Sequence, residues 1–258
     1  MEKQSNASTE PPQASGVAGQ NIQWQGIHGE SDSWRKQLVG EISDAFILPR
    51  YVKLFFDTWG DLRNARFLEL GAGNGDNSRA ILEADAARQE KVVGSYLATE
   101  VFESGVQWLK GRGIDACQAS AEALPMPDAS FDAVVEFDVM HHVDHPRLMA
   151  REMMRVGRGR LLLTESNGLS LPRKLLELLP ARKAAGEKSF TPRQWRSFFD
   201  GHSEFRITRF DIYPFLFPFK CPSFFLPALV WFNGAIEKMP FLRWQCSSVV
   251  ITVNYERV

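Results

Sequence analysis

The 258-residue chain lacks the cysteine pattern of a disulfide-stabilised or zinc-binding protein. Its three cysteines, Cys117, Cys221 and Cys246, lie far apart and form no C-x-x-C pair. We therefore expect no metal site and a reducing, cytoplasmic compartment. Residues 1–22 also lack the basic-then-apolar pattern of a secretion signal. They are rich in Ser, Gln, Gly, Pro and Ala, which predicts a disordered tail.

Long apolar runs and an excess of one charge are missing as well. The most apolar uncharged stretch, 221–236, is shorter than the roughly 18–20 residues of a membrane-spanning helix, and Pro222 and Pro227 interrupt it. The formal net charge is −1, so the overall electrostatics do not favour a nucleic-acid partner. These absences disfavour an integral membrane protein and a nucleic-acid-binding protein.

The remaining composition suits one folded α/β domain, which we assign to residues 23–258. Hydrophobic residues make up 44% of the chain, enough for one sizeable core. Between residues 65 and 168, apolar segments alternate with stretches of helical spacing at 77–88 and 103–112. Strands joined by crossover helices lie parallel, so this alternation predicts a doubly wound, mostly parallel sheet. Helical spacing in residues 33–64 predicts N-terminal helices before the first strand.

The most informative segment reads Phe-Leu-Glu-Leu-Gly-Ala-Gly-Asn-Gly at residues 67–75. Its apolar half suits a strand that is buried on both faces. Gly71, Gly73 and Gly75 then allow a sharp turn in which the backbone lies against a flat ligand that a Cβ would meet. The dinucleotide fingerprint G-x-G-x-x-G requires glycine at the position of Asp76. An oxidoreductase with a nicotinamide cofactor is therefore the weaker interpretation.

A carboxylate ends the next apolar segment, which begins near Val92 and reaches Glu100. At the tip of the strand after a glycine loop, a carboxylate can accept two hydrogen bonds from the cis-diol of a ribose. The alternative is a solvated residue at the end of a strand. The distance from the glycine loop favours the ribose role.

A third block reads Ala-Glu-Ala-Leu-Pro-Met-Pro-Asp-Ala-Ser-Phe-Asp at 121–132, and Met-His-His-Val-Asp-His-Pro follows at 140–146. With Glu69 and the G-x-G-x-G loop, this block resembles the class I S-adenosylmethionine (SAM) methyltransferases. The likeness is to the ubiquinone/menaquinone-biosynthesis type and other small-molecule methyltransferases, and it covers residues 65–168. It implies SAM as the cofactor and a Rossmann-like α/β fold with a seven-stranded sheet.

The resemblance also implies a cofactor site. The family usually has an acidic residue before the Ala-Glu pair, where it contacts the adenine amino group. Ser120 stands there in this chain, so adenine recognition would use a hydroxyl, backbone groups or the next two residues. Asp138 is expected to bind the methionine ammonium of the cofactor or to act in catalysis. The expected cofactor-binding residues are Glu69, Gly71, Ala72, Gly73, Gly75, Glu100, Ser120, Ala121, Glu122, Phe137 and Asp138.

Three residues near the ends of the fourth and fifth predicted strands are candidates for catalysis. His141 and His142 follow the fourth strand, where ligands bind in open α/β sheets. A histidine there can accept a proton from a hydroxyl group near neutral pH. Glu165 ends the fifth strand and is a second candidate base or an orienter of the histidine. The alternative is that the rings cap the following helix or pack under the loop.

Two segments beyond residue 168 depart from the family pattern. Residues 169–200 combine a leucine-rich face with an excess of basic residues, which predicts basic amphipathic helices. Residues 213–245 form an insert between the last two predicted strands, and this insert is too aromatic to be disordered. We expect it to form a lid over an apolar acceptor pocket. A basic segment beside an aromatic one also suits an anionic membrane surface, and the alternative is a solvated surface with ordinary core packing.

These patterns favour a methyltransferase that acts on a hydrophobic small molecule, at oxygen rather than at nitrogen or carbon. One alternative is a lipid-like acceptor, methylated by a cytoplasmic protein in peripheral contact with the membrane. Another is a SAM-binding protein without activity. A nucleic-acid methyltransferase is disfavoured, because the chain lacks an N/D-P-P-Y/F tetrad and an appended basic domain. No pattern in the sequence predicts an oligomeric state.

Overall fold

The computed structural model describes residues 43–179, 188–216 and 225–258, with side chains from residue 45 onward. The predicted tail at 1–22, the first part of the predicted N-terminal helices and Cys221 lie outside the described residues. Parts of the basic segment and of the aromatic insert do so as well. All elements, contacts and absences given below belong to the described residues.

Seven strands form one sheet: β1 (Ala65–Leu70), β2 (Val93–Glu100), β3 (Ala116–Gln118), β4 (Ala133–Phe137), β5 (Arg160–Ser166), β6 (Phe205–Phe215) and β7 (Ser248–Arg257). Their order across the sheet is β3-β2-β1-β4-β5-β7-β6. The pairs from β3 to β5 are parallel, whereas β7 runs antiparallel to β5 and to β6. The predicted doubly wound, mostly parallel sheet of seven strands is confirmed.

Helices lie on both faces of the sheet and connect its strands. A π-helical turn, Ser43–Ile47, leads into the first of them, and short 3-10 turns occur at Met140–His142 and Arg243–Gln245. The predicted helices at 77–88 and 103–112 are observed within two residues of their expected ends. The helices are α1 (Leu48–Trp59), α2 (Asp76–Ala86), α3 (Glu103–Gly111), α4 (Pro146–Val156), α5 (Leu171–Glu177), α6 (Pro192–Phe199) and α7 (Leu226–Lys238).

Helix α1 packs on one face of the sheet through aromatic side chains spaced four residues apart. Tyr51, Phe55 and Trp59 are buried, and they lie on one side of the helix because four residues make about one turn. The ring centroids of Phe55 and Trp59 lie 4.9 and 6.0 Å from that of Phe67 in β1. Burying each such side chain contributes about 1.5–3 kcal/mol, so this face fixes α1 over the centre of the sheet.

Helices α4 and α6 cover the opposite face. Thr191 begins α6 with a capping box, in which its hydroxyl accepts from the Gln194 N–H and the Gln194 side chain accepts from the Thr191 N–H. Trp195 and Phe199 on this helix are buried, and the indole N–H of Trp195 donates to the Ser166 carbonyl at 3.2 Å. This contact joins α6 to the carboxyl end of β5.

The connections after β5 and β6 meet at the carboxyl edge of the sheet. The Ser170 hydroxyl donates to the Gln245 carbonyl at 2.9 Å, and the Leu171 N–H donates to the Gln245 side chain at 3.0 Å. The Asn167 amide donates to the carbonyls of Trp244 and Cys246 at 2.9 and 2.8 Å. The start of α5 is thus tied to the end of the insert. None of the described helices is long and apolar enough to cross a membrane.

Candidate functional site

A cavity of about 330 Å³ lies at the carboxyl ends of β1, β2 and β4. Four segments form its walls: the glycine loop after β1, the tip of β2, residues 119–122 and residues 137–144. Predicted site residues in the walls are Gly71, Ala72, Gly73, Glu100, Ser120, Ala121, Glu122, Phe137, Asp138 and His142. Sequence reasoning missed the wall residues beside them, namely Asn74, Asn77, Thr99, Val101, Phe102, Ala119, Val139, Val143 and Asp144. Their nearness to the motifs was the signal that could have found them.

The three glycines of the loop serve two different purposes. All three have positive φ, between +58° and +76°. A Cβ on Gly71 would lie 2.8 Å from a methyl group of Val139, and one on Gly75 would lie 2.6 Å from Leu109. A Cβ on Gly73 would meet no protein atom within 4 Å. Gly71 and Gly75 thus make room for protein side chains, whereas Gly73 is the one of the three that faces open space. The predicted contact of the three glycines with a cofactor stays a prediction.

Glu100 forms the floor of the cavity beside this loop. One of its carboxylate oxygens accepts from the Gly73 N–H at 2.5 Å, and the other accepts from the Val101 N–H at 3.2 Å. Burial raises the pKa of Glu100, and the two backbone donors oppose that rise. The glycine loop and the tip of β2 are thus held together by the carboxylate that the sequence assigns to a ribose.

Glu69 lies behind the loop and does not belong to the cavity walls. Its carboxylate accepts from the hydroxyls of Ser78 and, at 3.0 Å, Tyr96. Burial raises the pKa of Glu69 to about 7, and the hydroxyl donors oppose that rise. In this structure Glu69 joins β1 to α2 and β2, and its predicted contact with a cofactor stays a prediction.

Ser120, Ala121 and Glu122 form one segment of the cavity wall. The Ser120 hydroxyl is exposed, and it accepts from the Glu122 N–H at 3.3 Å. The Glu122 carboxylate accepts from the backbone N–H of His145. The position that is acidic in the family thus presents a short hydroxyl here, and the neighbouring carboxylate is engaged with the loop before α4.

Asp138 also lines the cavity, and its backbone has a strained conformation with φ +60°. Its carboxylate accepts from the Tyr51 hydroxyl at 2.9 Å, and burial raises its pKa to about 6. The Tyr51 ring lies 5.2 Å from Phe137 and 5.7 Å from Phe215, measured between ring centroids. Tyr51 was missed by sequence reasoning, although a phenol on a buried helix face requires a hydrogen-bond partner.

The two histidines differ in their surroundings. His141 is buried, and its Nδ1 lies 2.6 Å from a carboxylate oxygen of Glu165, which is also buried. The other Glu165 oxygen accepts from the His141 backbone N–H at 3.2 Å. His142 lines the cavity, with its ring centroid 4.0 Å from that of His141. The structure thus gives the carboxylate partner to His141 and the place in the cavity wall to His142.

A second buried carboxyl group, Glu136, lies beside this pair and was not predicted. It accepts from the Val139 N–H at 2.7 Å, and its other oxygen has no hydrogen-bond partner in the described parts of the chain. Burial and the nearby Glu165 raise the pKa of Glu136 well above its usual range. A protonated Glu136 avoids placing a second negative charge next to Glu165.

A comparison with protein families identifies the domain that holds this site. Residues 68–162 match a family model described as a methyltransferase domain. The matched segment contains the glycine loop, Glu100 and the two histidines. Residues 68–162 are thus similar to a methyltransferase domain. The predicted resemblance to this family is confirmed.

Curated methyltransferases share part of this domain. A probable S-adenosylmethionine-dependent methyltransferase of Mycobacterium tuberculosis is 37% identical over 99 residues, which are 38% of this chain and 34% of that protein. The ubiquinone/menaquinone biosynthesis C-methyltransferase UbiE of Serratia proteamaculans is 34% identical over 129 residues, which are 47% of this chain and 51% of that protein. The chain thus spans about a third to a half of the length of these relatives.

Solved structures show the same fold over most of the chain. A SAM-dependent methyltransferase of Thermotoga maritima has a TM-score of 0.56 at 16% identity and covers 85% of this chain and 97% of its own. The [4+2]-cyclase SpnF has a TM-score of 0.54 at 17% identity, with 93% and 96% covered. At this identity the likeness is one of fold. Because proteins of one fold can perform different reactions, the reaction must be argued from the site.

The described residues also bear on the expectation about metals and disulfides. They contain no group of three or more His, Cys, Asp or Glu side chains placed to hold a metal ion. Cys117 and Cys246 are free thiols, and burial raises the pKa of each.

Proposed function

We propose that this protein transfers a methyl group from SAM to an oxygen atom of a hydrophobic small molecule. One arrangement supports this function. The glycine loop, Glu100 and Asp138 line one cavity, and the buried His141–Glu165 pair lies behind His142 in its wall, with the two histidine ring centroids 4.0 Å apart. The residues that suit a nucleotide-type ligand and the proposed proton acceptor therefore belong to one site.

The residues of the cavity fit SAM. Gly73 leaves open space where a Cβ would stand, so a ligand can lie against the backbone. Each oxygen of Glu100 uses one lone pair on a backbone donor and retains another for a ribose hydroxyl. We assign Ser120, Ala121 and Glu122 to the adenine and Asp138 to the methionine ammonium, since all four residues line the cavity and the Asp138 carboxylate can bind a cation.

His141 is the proposed base for the acceptor hydroxyl. SAM supplies a methyl group on a sulfonium that is already activated, so the protein must mainly align the acceptor and receive its proton. Glu165 lies 2.6 Å from Nδ1 of His141 and fixes the orientation of the ring, and we assign the proton of the acceptor to Nε2. General-base catalysis of this kind contributes about 10²–10⁴-fold.

Aromatic rings near Asp138 support an apolar acceptor. Tyr51, Phe137 and Phe215 form a continuous aromatic group from α1 across the sheet to the end of β6. The Tyr51 hydroxyl is engaged by Asp138, and of the three rings Phe137 lines the cavity. A planar, hydrophobic molecule such as a phenol or quinol suits this environment.

The direct test compares substitutions at the two histidines. With methyl transfer measured against phenols, quinols and fatty acids, we expect His141→Asn to lower kcat about 10²–10⁴-fold and to remove its rise with pH. SAM affinity by calorimetry should stay within about threefold, because His141 is not in the cavity wall. His142→Asn is the matched variant, and we expect it to raise the KM for SAM while kcat is retained.

Different results would reject different parts of this proposal. An unchanged kcat and pH profile in His141→Asn, with folding verified by circular dichroism, would show that His141 is not the base. Methylation at carbon or nitrogen would remove the assignment to oxygen. Binding of SAM without turnover on any acceptor would favour the non-catalytic alternative. Absence of heat and of thermal shift with SAM, together with binding of NADH, would favour the oxidoreductase.

A further inference from the structure

Large apolar side chains are exposed along the two connections that follow β5 and β6. Trp231 on α7 is 74% exposed, and Phe241 in the turn after α7 is 92% exposed. Leucines of α5 are exposed at positions three and four residues apart, which places them on one side of that helix. We call this surface the apolar rim, and its main members are Leu171, Leu175, Leu178, Phe225, Trp231 and Phe241.

Helix α7 shows why the rim requires a partner. Its buried side carries Leu229, Asn233 and Ile236, at the spacing of one helix face. The exposed side carries Val230, Trp231 and Phe232 instead of the polar residues of a solvated face. Helices that are apolar on both sides are normally buried on both sides.

The two connections that carry the rim meet at the carboxyl edge of the sheet. Hydrogen bonds from Ser170 and Leu171 to Gln245 join the start of α5 to the 3-10 turn that follows α7. Buried Phe215 at the end of β6 joins the same region to Tyr51 and Asp138. The rim therefore lies on the side of the molecule where the acceptor is proposed to bind.

The charge of the two connections is strongly positive. Residues 169–198 contain seven Lys or Arg and two Glu, and residues 216–247 contain three Lys or Arg and one Glu. The chain as a whole has a net charge of −1. Lys238 and Arg243 are exposed on either side of the turn that holds Phe241. An apolar surface with a basic border suits a partner that is apolar inside and negatively charged at its surface.

We propose that the apolar rim docks on the surface of an anionic lipid bilayer. Trp231 and Phe241 would enter the boundary between headgroups and acyl chains, with Lys238 and Arg243 at the lipid phosphates. A second copy of the chain is a poorer occupant, because its rim carries the same positive charges and would be repelled. Resting on the proposed function, this contact would let a hydrophobic acceptor reach the site from the bilayer.

The test measures co-sedimentation of the full chain with vesicles, without SAM or acceptor. We expect binding to phosphatidylcholine vesicles that contain phosphatidylglycerol, and at least tenfold weaker binding to phosphatidylcholine alone. Trp231→Ser and Phe241→Ser should each weaken binding about tenfold. Lys238→Glu together with Arg243→Glu should weaken it about 25-fold or more, and salt should do the same to the wild type.

Two matched variants control for the chemistry of the changes. Leu148→Ser removes an exposed apolar side chain from α4, and Lys110→Glu reverses an exposed charge on α3. Both should leave vesicle binding within about twofold of the wild type, and calorimetry should give the same SAM affinity for every rim variant.

Vesicle binding and cofactor binding can fail separately. A wild type that binds SAM but not anionic vesicles would overturn the docking and leave methyl transfer standing. A dimer by light scattering that Trp231→Ser dissociates, without vesicle binding, would identify the rim as a protein interface. Vesicle binding without SAM binding would instead overturn the proposed function and leave the docking intact.

Discussion

The two sides of the carboxyl edge are built in different ways. On the glycine side, formed by residues 70–76, 100–102 and 119–122, short loops are held by hydrogen bonds to the backbone. Glu100 binds the N–H groups of Gly73 and Val101 there, with little room for change. On the insert side, formed by residues 169–179 and 225–247, long connections are held by scattered contacts and leave Trp231 and Phe241 in solvent.

The difference follows from what each side must recognise. A glycine loop depends on backbone geometry, so its sequence is restricted and matches a family model. An apolar surface depends mainly on the area and spacing of side chains, which many sequences can supply. The glycine side is therefore the part whose sequence follows the family pattern, and the insert side is the part in which this chain departs from that pattern.

We expect the largest effect from Gly75→Ala, compared with Gly73→Ala. Both glycines have positive φ, so alanine strains the backbone by about 1–2 kcal/mol at either position. At Gly75 the new Cβ also collides with Leu109 and Ile114, which adds about 1–3 kcal/mol. Urea unfolding should therefore show a loss of about 2–5 kcal/mol for Gly75→Ala and a smaller loss for Gly73→Ala.

The SAM affinity of the two variants, measured by calorimetry, is the second comparison between them. Gly73→Ala places its methyl group in the cavity, so it should weaken SAM binding. It should do so even though it is the more stable of the two variants. Equal stability of the two variants, or full SAM affinity in Gly73→Ala, would show that the glycines are not divided between packing and binding.

A somewhat smaller effect is expected for Glu69→Gln, and it should depend on pH. The folded-state pKa of Glu69 is raised from 4.5 to about 7, so the folded state holds this proton more tightly than the unfolded state. The free energy of unfolding therefore falls as pH rises from about 4.5 to about 7, by up to about 3 kcal/mol. Glutamine cannot ionise, and it retains an acceptor for Ser78 and Tyr96.

Urea unfolding at pH 5 and pH 8 measures this difference. The free energy of unfolding of Glu69→Gln minus that of the wild type should be larger at pH 8 than at pH 5, by up to about 3 kcal/mol. Asp138 titrates in both proteins, so its contribution cancels in the comparison. A wild-type-to-variant difference that is the same at both pH values would contradict the raised pKa.

The smallest effect concerns the contact between α1 and the insert side. The Arg50 guanidinium pairs with Glu237 of α7 and lies 5.2 Å from the centroid of Phe215. Both charged side chains are about a quarter exposed. A double-mutant cycle with Arg50→Met and Glu237→Gln should give a coupling of about 1 kcal/mol.

An exposed pair on the same helix serves as the control. Lys53 and Asp57 are 73% and 61% exposed, so their coupling should be at most about 0.5 kcal/mol. Equal couplings for the two pairs would mean that the contact between α1 and α7 contributes no more than a surface ion pair. The insert side would then be more loosely attached than the structure indicates.

Several parts of the site could be located from the sequence because they depend on local order. The glycine loop follows an apolar strand, and Glu100 ends the next one, so both must lie at the carboxyl edge of a parallel sheet. The capping of α6 by Thr191 is equally local. These features require only the periodicity of strands and helices and the order of the motifs.

Other parts could not be located because they depend on contacts between distant segments. The hydrogen bond between Tyr51 and Asp138 spans 87 positions, and it exists only because α1 crosses the end of β4. The closeness of Glu136 to Glu165 depends on the alignment of β4 with β5. The prediction that the aromatic insert forms a lid stays a prediction, and several of its aromatic side chains face solvent.

The sequence by itself determined the order of strands and helices, the α/β class and the resemblance to methyltransferases, because these follow from periodicity and from motifs a few residues long. Only the tertiary structure decided which of two adjacent histidines meets a carboxylate, which glycine faces open space, and which aromatic residues stay exposed. Those outcomes depend on the register between strands and on the rotation of each helix, which bring together side chains far apart in the chain.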